Sequence, residues 1–136
     1  LVVSLVKNPV KTTLFSYAER LALLKETTKD MNGVIIEGFD GLVVDFARGK
    51  KVGVIIRGLR MISDFEYEFQ MALTNRNLCP SVETIFLMPN PEYSFISSRL
   101  IKEAALLGAD LRKFLPPAVS QALKEKVARE SGNRQN

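Results

Sequence analysis

Four short apolar, β-branched runs at residues 1–6, 33–39, 52–56 and 82–88 constrain this chain more than any other feature, because ten or more residues separate each from the next. Strands joined by such long crossovers are not hairpins; they pair in parallel, with helices in the crossovers. The intervening residues carry helical signals. Ser16 with Glu19 has the capping-box pattern, and Ala18, Leu21, Ala22 and Leu24 repeat at helical spacing until about Asp30, before Asn32 and Gly33. A short helix is predicted over 42–48. Ser63 with Glu66 is a second capping pattern, opening a helix to about Asn77 in which Phe65, Phe69, Ala72 and Leu73 suit the core while Asp64, Glu68, Met71 and Asn75 share another face. Residues 90–93 read as a loop. Ser97 and Ser98 precede a helix ending at Gly108, and Pro116 and Pro117 open a last helix with Val119, Ala122, Leu123 and Val127 on one face. The expected fold class is α/β, an open parallel sheet buried by helices on both faces. One domain is expected over 1–130, followed by a polar tail at 131–136.

Composition narrows the chemistry. With 136 residues, 46% of them hydrophobic, the chain can bury a core without a disulfide or metal staple. A single cysteine, Cys79, excludes an intrachain disulfide and a cysteine zinc cluster, and the lack of histidine excludes His-based triads within this chain. Cys79, with no histidine to activate it, reads as a structural thiol. No protein metal site is expected. No apolar run approaches the ~18 residues of a membrane helix, so no membrane partner is expected. Leu1 is not an initiator methionine and no basic segment leads into an apolar one, so the chain is expected to start at an interior point of a longer protein.

Ligands of open parallel sheets bind beyond the carboxyl ends of the strands. Lys11 follows the first strand, Arg57, Gly58 and Arg60 follow the third, and residues 93–99 follow the fourth. The stretch 46–63 holds five basic residues, Arg48, Lys50, Lys51, Arg57 and Arg60, and no acid, within a net charge of +4. Two cations bracketing a glycine after an apolar strand would suit a phosphate, although surface cations at a strand end have the same spacing. Ser97 and Ser98 at a helix start are either plain caps or part of a phosphate site at the helix amino end. Nucleic acid is not expected as a partner, since the basic stretch has no aromatic platform beyond Phe46 and alternates with strand residues.

Three segments carry a specific resemblance: N-P-V-K-T-T-L-F-S-Y-A-E-R at 8–20, I-I-R-G-L-R-M-I-S-D-F-E-Y-E-F-Q at 55–70, and Y-S-F-I-S-S-R-L-I-K-E at 93–103. Together with F-L-P-P-A-V at 114–119 they resemble the phosphopantetheine adenylyltransferases over nearly the whole chain. The resemblance implies a Rossmann-like fold and transfer of the adenylyl group of ATP to 4′-phosphopantetheine, giving dephospho-coenzyme A and pyrophosphate. It implies that Lys11 and Arg57 hold the acceptor phosphate, with Lys11 near the reacting phosphorus, and that Leu42 and Val43 line the pantetheine arm. ATP would meet Gly58, Leu59, Arg60, Glu68 and the segment Tyr93, Ser94, Phe95, Ile96, Ser97, Ser98 and Arg99. Mg²⁺ accompanying ATP, a cytoplasmic location and a homohexamer are further implications.

One departure accompanies the resemblance. The family begins with a strand, a turn and a helix carrying T-F-D-P and a G-H pair whose histidine stabilises the reacting phosphate, and this sequence contains neither motif. That strand is central in the family's sheet, so the strands beside its place are expected to have unpaired backbone groups, at roughly 1–3 kcal/mol for each one buried. The expectation is a piece of a working enzyme that binds better than it catalyses. The alternative is a non-catalytic nucleotide-binding or assembly module.

Overall fold

A computed structural model describes residues 1–7 and 12–133. The chain is α/β and forms two compact units, Leu1–Gly38 with Ile96–Asn136, and Phe39–Phe95. Its four strands pair as β1 (Val2–Val6) with β2 (Ile35–Phe39) and β3 (Val54–Gly58) with β4 (Glu83–Leu87), giving two sheets of two strands. All four predicted strands are present among the described residues, each paired with one other.

The first unit rests on helix–helix contacts. Ser16 caps α1 (Tyr17–Thr28) with a complete capping box: its Oγ accepts from the Glu19 amide at 3.2 Å, and its own amide donates to Glu19 Oε2 at 2.6 Å. Glu19 also ties α1 to α6 (Pro117–Asn133), since Lys126 Nζ donates to both of its carboxylate oxygens at 2.9 and 3.1 Å. These contacts hold the Glu19 carboxyl down at about 2, Lys126 contributing most and the Ser16 amide next. Helix α5 (Ser98–Leu106) also packs on α6, where Leu111, Ser120 and Leu123 are buried. Gly38 in β2 leaves room for the Tyr17 ring: a Cβ there would press on the Tyr17 hydroxyl, which would have to move. Helix α6 continues to Asn133, so the expected polar tail is helical over 131–133.

In the second unit, α2 (Val43–Gly49) and α3 (Ile62–Leu78) pack together, and Val44, Ala47, Cys79 and Val82 form the buried centre, with Val43 and Ile55 against it. Val44 is 1% exposed, and burying such a side chain contributes roughly 1.5–3 kcal/mol. Strands β3 and β4 are parallel in the register Val54 to Glu83 through Gly58 to Leu87. Alternation puts Ile55 on the covered face and Val54, Ile56, Ile85 and Leu87 on the other, where these four stay 42–55% exposed. Within this unit α2 and α3 lie on the face of Ile55.

Two further differences matter. Helix α3 starts at Ile62 with Met61 as N-cap, ahead of the capping position predicted at Ser63, and Met61 makes no side-chain cap bond. On α3, of the residues expected in the core, Phe65, Phe69 and Leu73 are exposed and Ala72 is half-buried, and Phe65 stacks on Phe69 at 5.5 Å; Asp64, Glu68, Met71 and Asn75 are partly or fully buried. Residues 91–94 of the predicted loop form a helical turn, α4 (Pro91–Ser94), which Asn90 caps by accepting from the Glu92 amide at 3.3 Å.

Candidate active site

The carboxyl end of β3 and the facing side of α3 build the best-defined polar cluster. Arg57 shares the parity of Ile55, which turns it to the covered face of the sheet, and Glu68 lies on the inward stripe of α3. The two meet side-on: Nε donates to Oε2 at 2.7 Å and Nη2 to Oε1 at 2.5 Å. The Glu68 side chain is 12% exposed and that of Arg57 44%. The bond to Glu68 raises the Arg57 guanidinium above its ordinary range, against desolvation. One turn earlier, Arg60 and Asp64 approach at 3.5 Å.

Leu59 is buried, and its amide donates to the Leu87 carbonyl at 3.0 Å, which fixes the backbone that follows Gly58. Gly58 is not itself in the left-handed region, and a Cβ there would meet nothing within 4 Å. Among the described residues no atom explains the glycine. Leu42 is exposed at the N-cap of α2, whereas Val43 packs on the core. Of the predicted ligands to the acceptor, Lys11 lies outside the described residues.

The remaining predicted residues form a run across the division between the units. Tyr93 and Ser94 end α4; the Tyr93 phenol bonds to Glu92, which raises it, and Ser94 Oγ donates to the Pro91 carbonyl at 2.8 Å. Phe95 is exposed and Ile96 half-buried. Ser97 is the N-cap of α5, its Oγ accepting from the Leu100 amide at 3.1 Å, and Ser98 is the first helical residue. Arg99 is 88% exposed and donates from Nε to Glu103 Oε1 at 2.9 Å. Its ion pair is confined to one helix.

Folding adds acids to a basic stretch that has none in sequence. Arg48 bonds Asp45 at 2.8 Å, Arg57 bonds Glu68, and Arg60 faces Asp64. Lys50 sits 5.7 Å over the Phe46 ring, which stacks on Phe39 at 4.6 Å. The pairing of Arg57 with Glu68, 11 residues apart, was missed by sequence reasoning, although the face shared by Asp64, Glu68, Met71 and Asn75 signalled it. Cys79 is buried, with Sγ 3.4 Å from Ser81 Oγ, consistent with a structural thiol.

The α/β architecture with parallel strands is of the nucleotidyltransferase class, and residues 1–104 match the family described as cytidylyltransferase-like. A phosphopantetheine adenylyltransferase of Caldanaerobacter subterraneus subsp. tengcongensis is 54% identical over 126 residues, covering 93% of this chain and 79% of the relative. Relatives of the same name from Alkaliphilus metalliredigens and Carboxydothermus hydrogenoformans are 48% and 52% identical, over 92% and 96% of this chain and 80% of each relative. The chain belongs to the phosphopantetheine adenylyltransferases, within the cytidylyltransferase-like family. Among the described residues, no helix is long and apolar enough to cross a membrane.

Proposed function

We propose that this chain transfers the adenylyl group of ATP to 4′-phosphopantetheine, yielding dephospho-coenzyme A and pyrophosphate, the penultimate step of coenzyme A synthesis. The observation that carries this reading is the 48–54% identity, across more than nine-tenths of the chain, to three relatives of that name. An oxygen of the acceptor phosphate attacks the α-phosphorus of ATP, a new P–O bond forms, and the bond to the oxygen bridging the α- and β-phosphorus breaks as pyrophosphate leaves. No protein nucleophile is needed. The protein contributes position and charge.

In this reading Arg57 and Lys11 hold the acceptor phosphate and Leu42 and Val43 line the pantetheine arm. Gly58, Leu59, Arg60 and residues 93–99 bind ATP, with the resemblance adding Glu68. The open space above Gly58 supports close approach of a phosphate to the backbone, and the amino end of α5, capped by Ser97, supports a phosphate chain beside Arg99. Among the described residues no three His, Cys, Asp or Glu side chains are grouped as metal ligands. Mg²⁺ belongs to this reading as part of the substrate, the magnesium complex of ATP. A cytoplasmic homohexamer completes the proposal.

The test is to incubate the complete gene product with MgATP and 4′-phosphopantetheine and to follow dephospho-coenzyme A by mass and pyrophosphate by a coupled assay. Both products should form in equal amounts. If ATP binds and neither product forms, a nucleotide-binding module without turnover replaces this reading.

A further inference from the structure

The seam between α5 and α6 is not closed. Just beyond α5 the chain turns at Gly108, whose φ is +80° and whose amide donates to the Ala105 carbonyl at 3.0 Å. Beside this turn lies a cavity of about 240 Å³ over Leu111 and Leu123, with Ala105 in its wall. Two polar residues of α6, one turn apart, line the same cavity: Ser120 and Lys124. Ser120 is 5% exposed, and among the described residues neither its hydroxyl nor the Lys124 ammonium has a hydrogen-bond or ion-pair partner. A hydroxyl buried this deeply without a partner is a cost to the fold by itself. We propose that the cavity binds a small monocarboxylate with an apolar body, its carboxylate held by Lys124 and the Ser120 hydroxyl and its body resting on Leu111 and Leu123.

Size and lining set the chemical class. An apolar cavity of about 150 Å³ is enough for a benzene ring, so this one has room for a ring or a short branched chain together with a carboxylate. The charges around it favour a monoanion. Arg112 donates to both carboxylate oxygens of Asp110 through three contacts of 2.6–3.0 Å, which hold that carboxyl well below the usual range, and Lys124 adds a smaller attraction through space. Arg112 is thereby matched, and Lys124 is the cation left to meet a ligand. A dianion such as a phosphate ester would exceed the single charge of Lys124 and meet the field of Asp110. An uncharged ligand would leave the ammonium unmatched. None of these residues is assigned above to ATP or to 4′-phosphopantetheine, so the proposal does not depend on the reaction.

The experiment titrates the complete gene product, free of nucleotide and 4′-phosphopantetheine, with phenylacetate and with its uncharged counterpart phenylacetamide, followed by saturation-transfer NMR. Phenylacetate, with about ten non-hydrogen atoms, should bind with a Kd of about 1 mM and the amide about tenfold more weakly. Lys124→Met should weaken phenylacetate about tenfold and leave the melting temperature of the ligand-free protein nearly unchanged. Ser120→Ala should weaken it about fivefold while leaving that melting temperature unchanged or higher, since the hydroxyl it removes has no partner. Ala105→Leu fills the cavity and should abolish binding; if this variant does not fold, Lys124→Met decides. No binding to the natural protein, equal binding of the amide, or an affinity unchanged in Lys124→Met would each overturn the proposal. Displacement of phenylacetate by ATP or by 4′-phosphopantetheine would overturn it as well, by placing the ligand in the catalytic site.

Discussion

Two arginines assigned to phosphates are held in opposite ways. Arg57, at the end of β3, is braced by a carboxylate from another element that is itself nearly buried, whereas Arg99, in the first turn of α5, reaches only to Glu103 on its own helix and is largely in solvent. A cation built into packing serves the fold and the ligand at once. A cation on an exposed helix turn can change without the fold noticing. Effects on stability and on binding should therefore coincide at Arg57 and separate at Arg99.

The largest expected effect follows from Arg57→Ala, which leaves Glu68 charged, mostly buried and without its partner. Discounted for the partial exposure of the guanidinium, the loss should be about 1–2 kcal/mol, or a melting temperature lower by about 3–6 °C. Calorimetric melting of the ligand-free protein checks it. An unchanged melting temperature would show that the pair does not brace the fold.

A pair of glycines sharpens the contrast between structural and ligand-directed positions. Gly38→Ala forces a methyl group against Tyr17 and should destabilise by about 1–3 kcal/mol in urea unfolding, with partial recovery on adding Tyr17→Leu. Gly58→Ala meets no atom and should leave stability unchanged or raise it by up to about 1 kcal/mol, while weakening ATP binding. Equal losses of stability at both positions would remove the case for open space at Gly58.

The smallest effect is electrostatic. Glu19 is held at about 2 against an ordinary value of 4.5 by Lys126 and the Ser16 amide. A carboxyl lowered on folding stabilises above its unfolded value and loses that stabilisation as pH falls from about 4.5 towards 2. The difference in melting temperature between the natural protein and Glu19→Gln should be constant above pH 5 and shrink below 4.5. A difference independent of pH would mean that the link between α1 and α6 is not ionic.

Strand positions and most helix starts were legible because they depend on local chemistry. Apolar runs mark β1 to β4, Ser16 caps α1 with Glu19, and Pro117 begins α6, all within a residue or two of the observed limits. What sequence could not rank was the inward face of α3. Two stripes share that helix, the apolar one is the ordinary choice for a core, and only the arrival of Arg57 from β3 makes the polar stripe the better one. Site residues were legible as types, a cation after a strand and serines at a helix start, while their roles came from the resemblance.

The division of labour between the two arginines is tested most directly by titrating ATP and, separately, 4′-phosphopantetheine into the complete gene product and its Arg57→Ala and Arg99→Ala variants by calorimetry. Arg57→Ala should weaken phosphopantetheine binding by about tenfold or more with little change for ATP, since a lost charge-assisted contact costs at least that factor. Arg99→Ala should weaken ATP and spare phosphopantetheine, with the melting temperature of its ligand-free form nearly unchanged. Loss of the same ligand in both variants, or of both ligands in either one, would contradict the assignment of the acceptor to the end of β3 and of ATP to the start of α5.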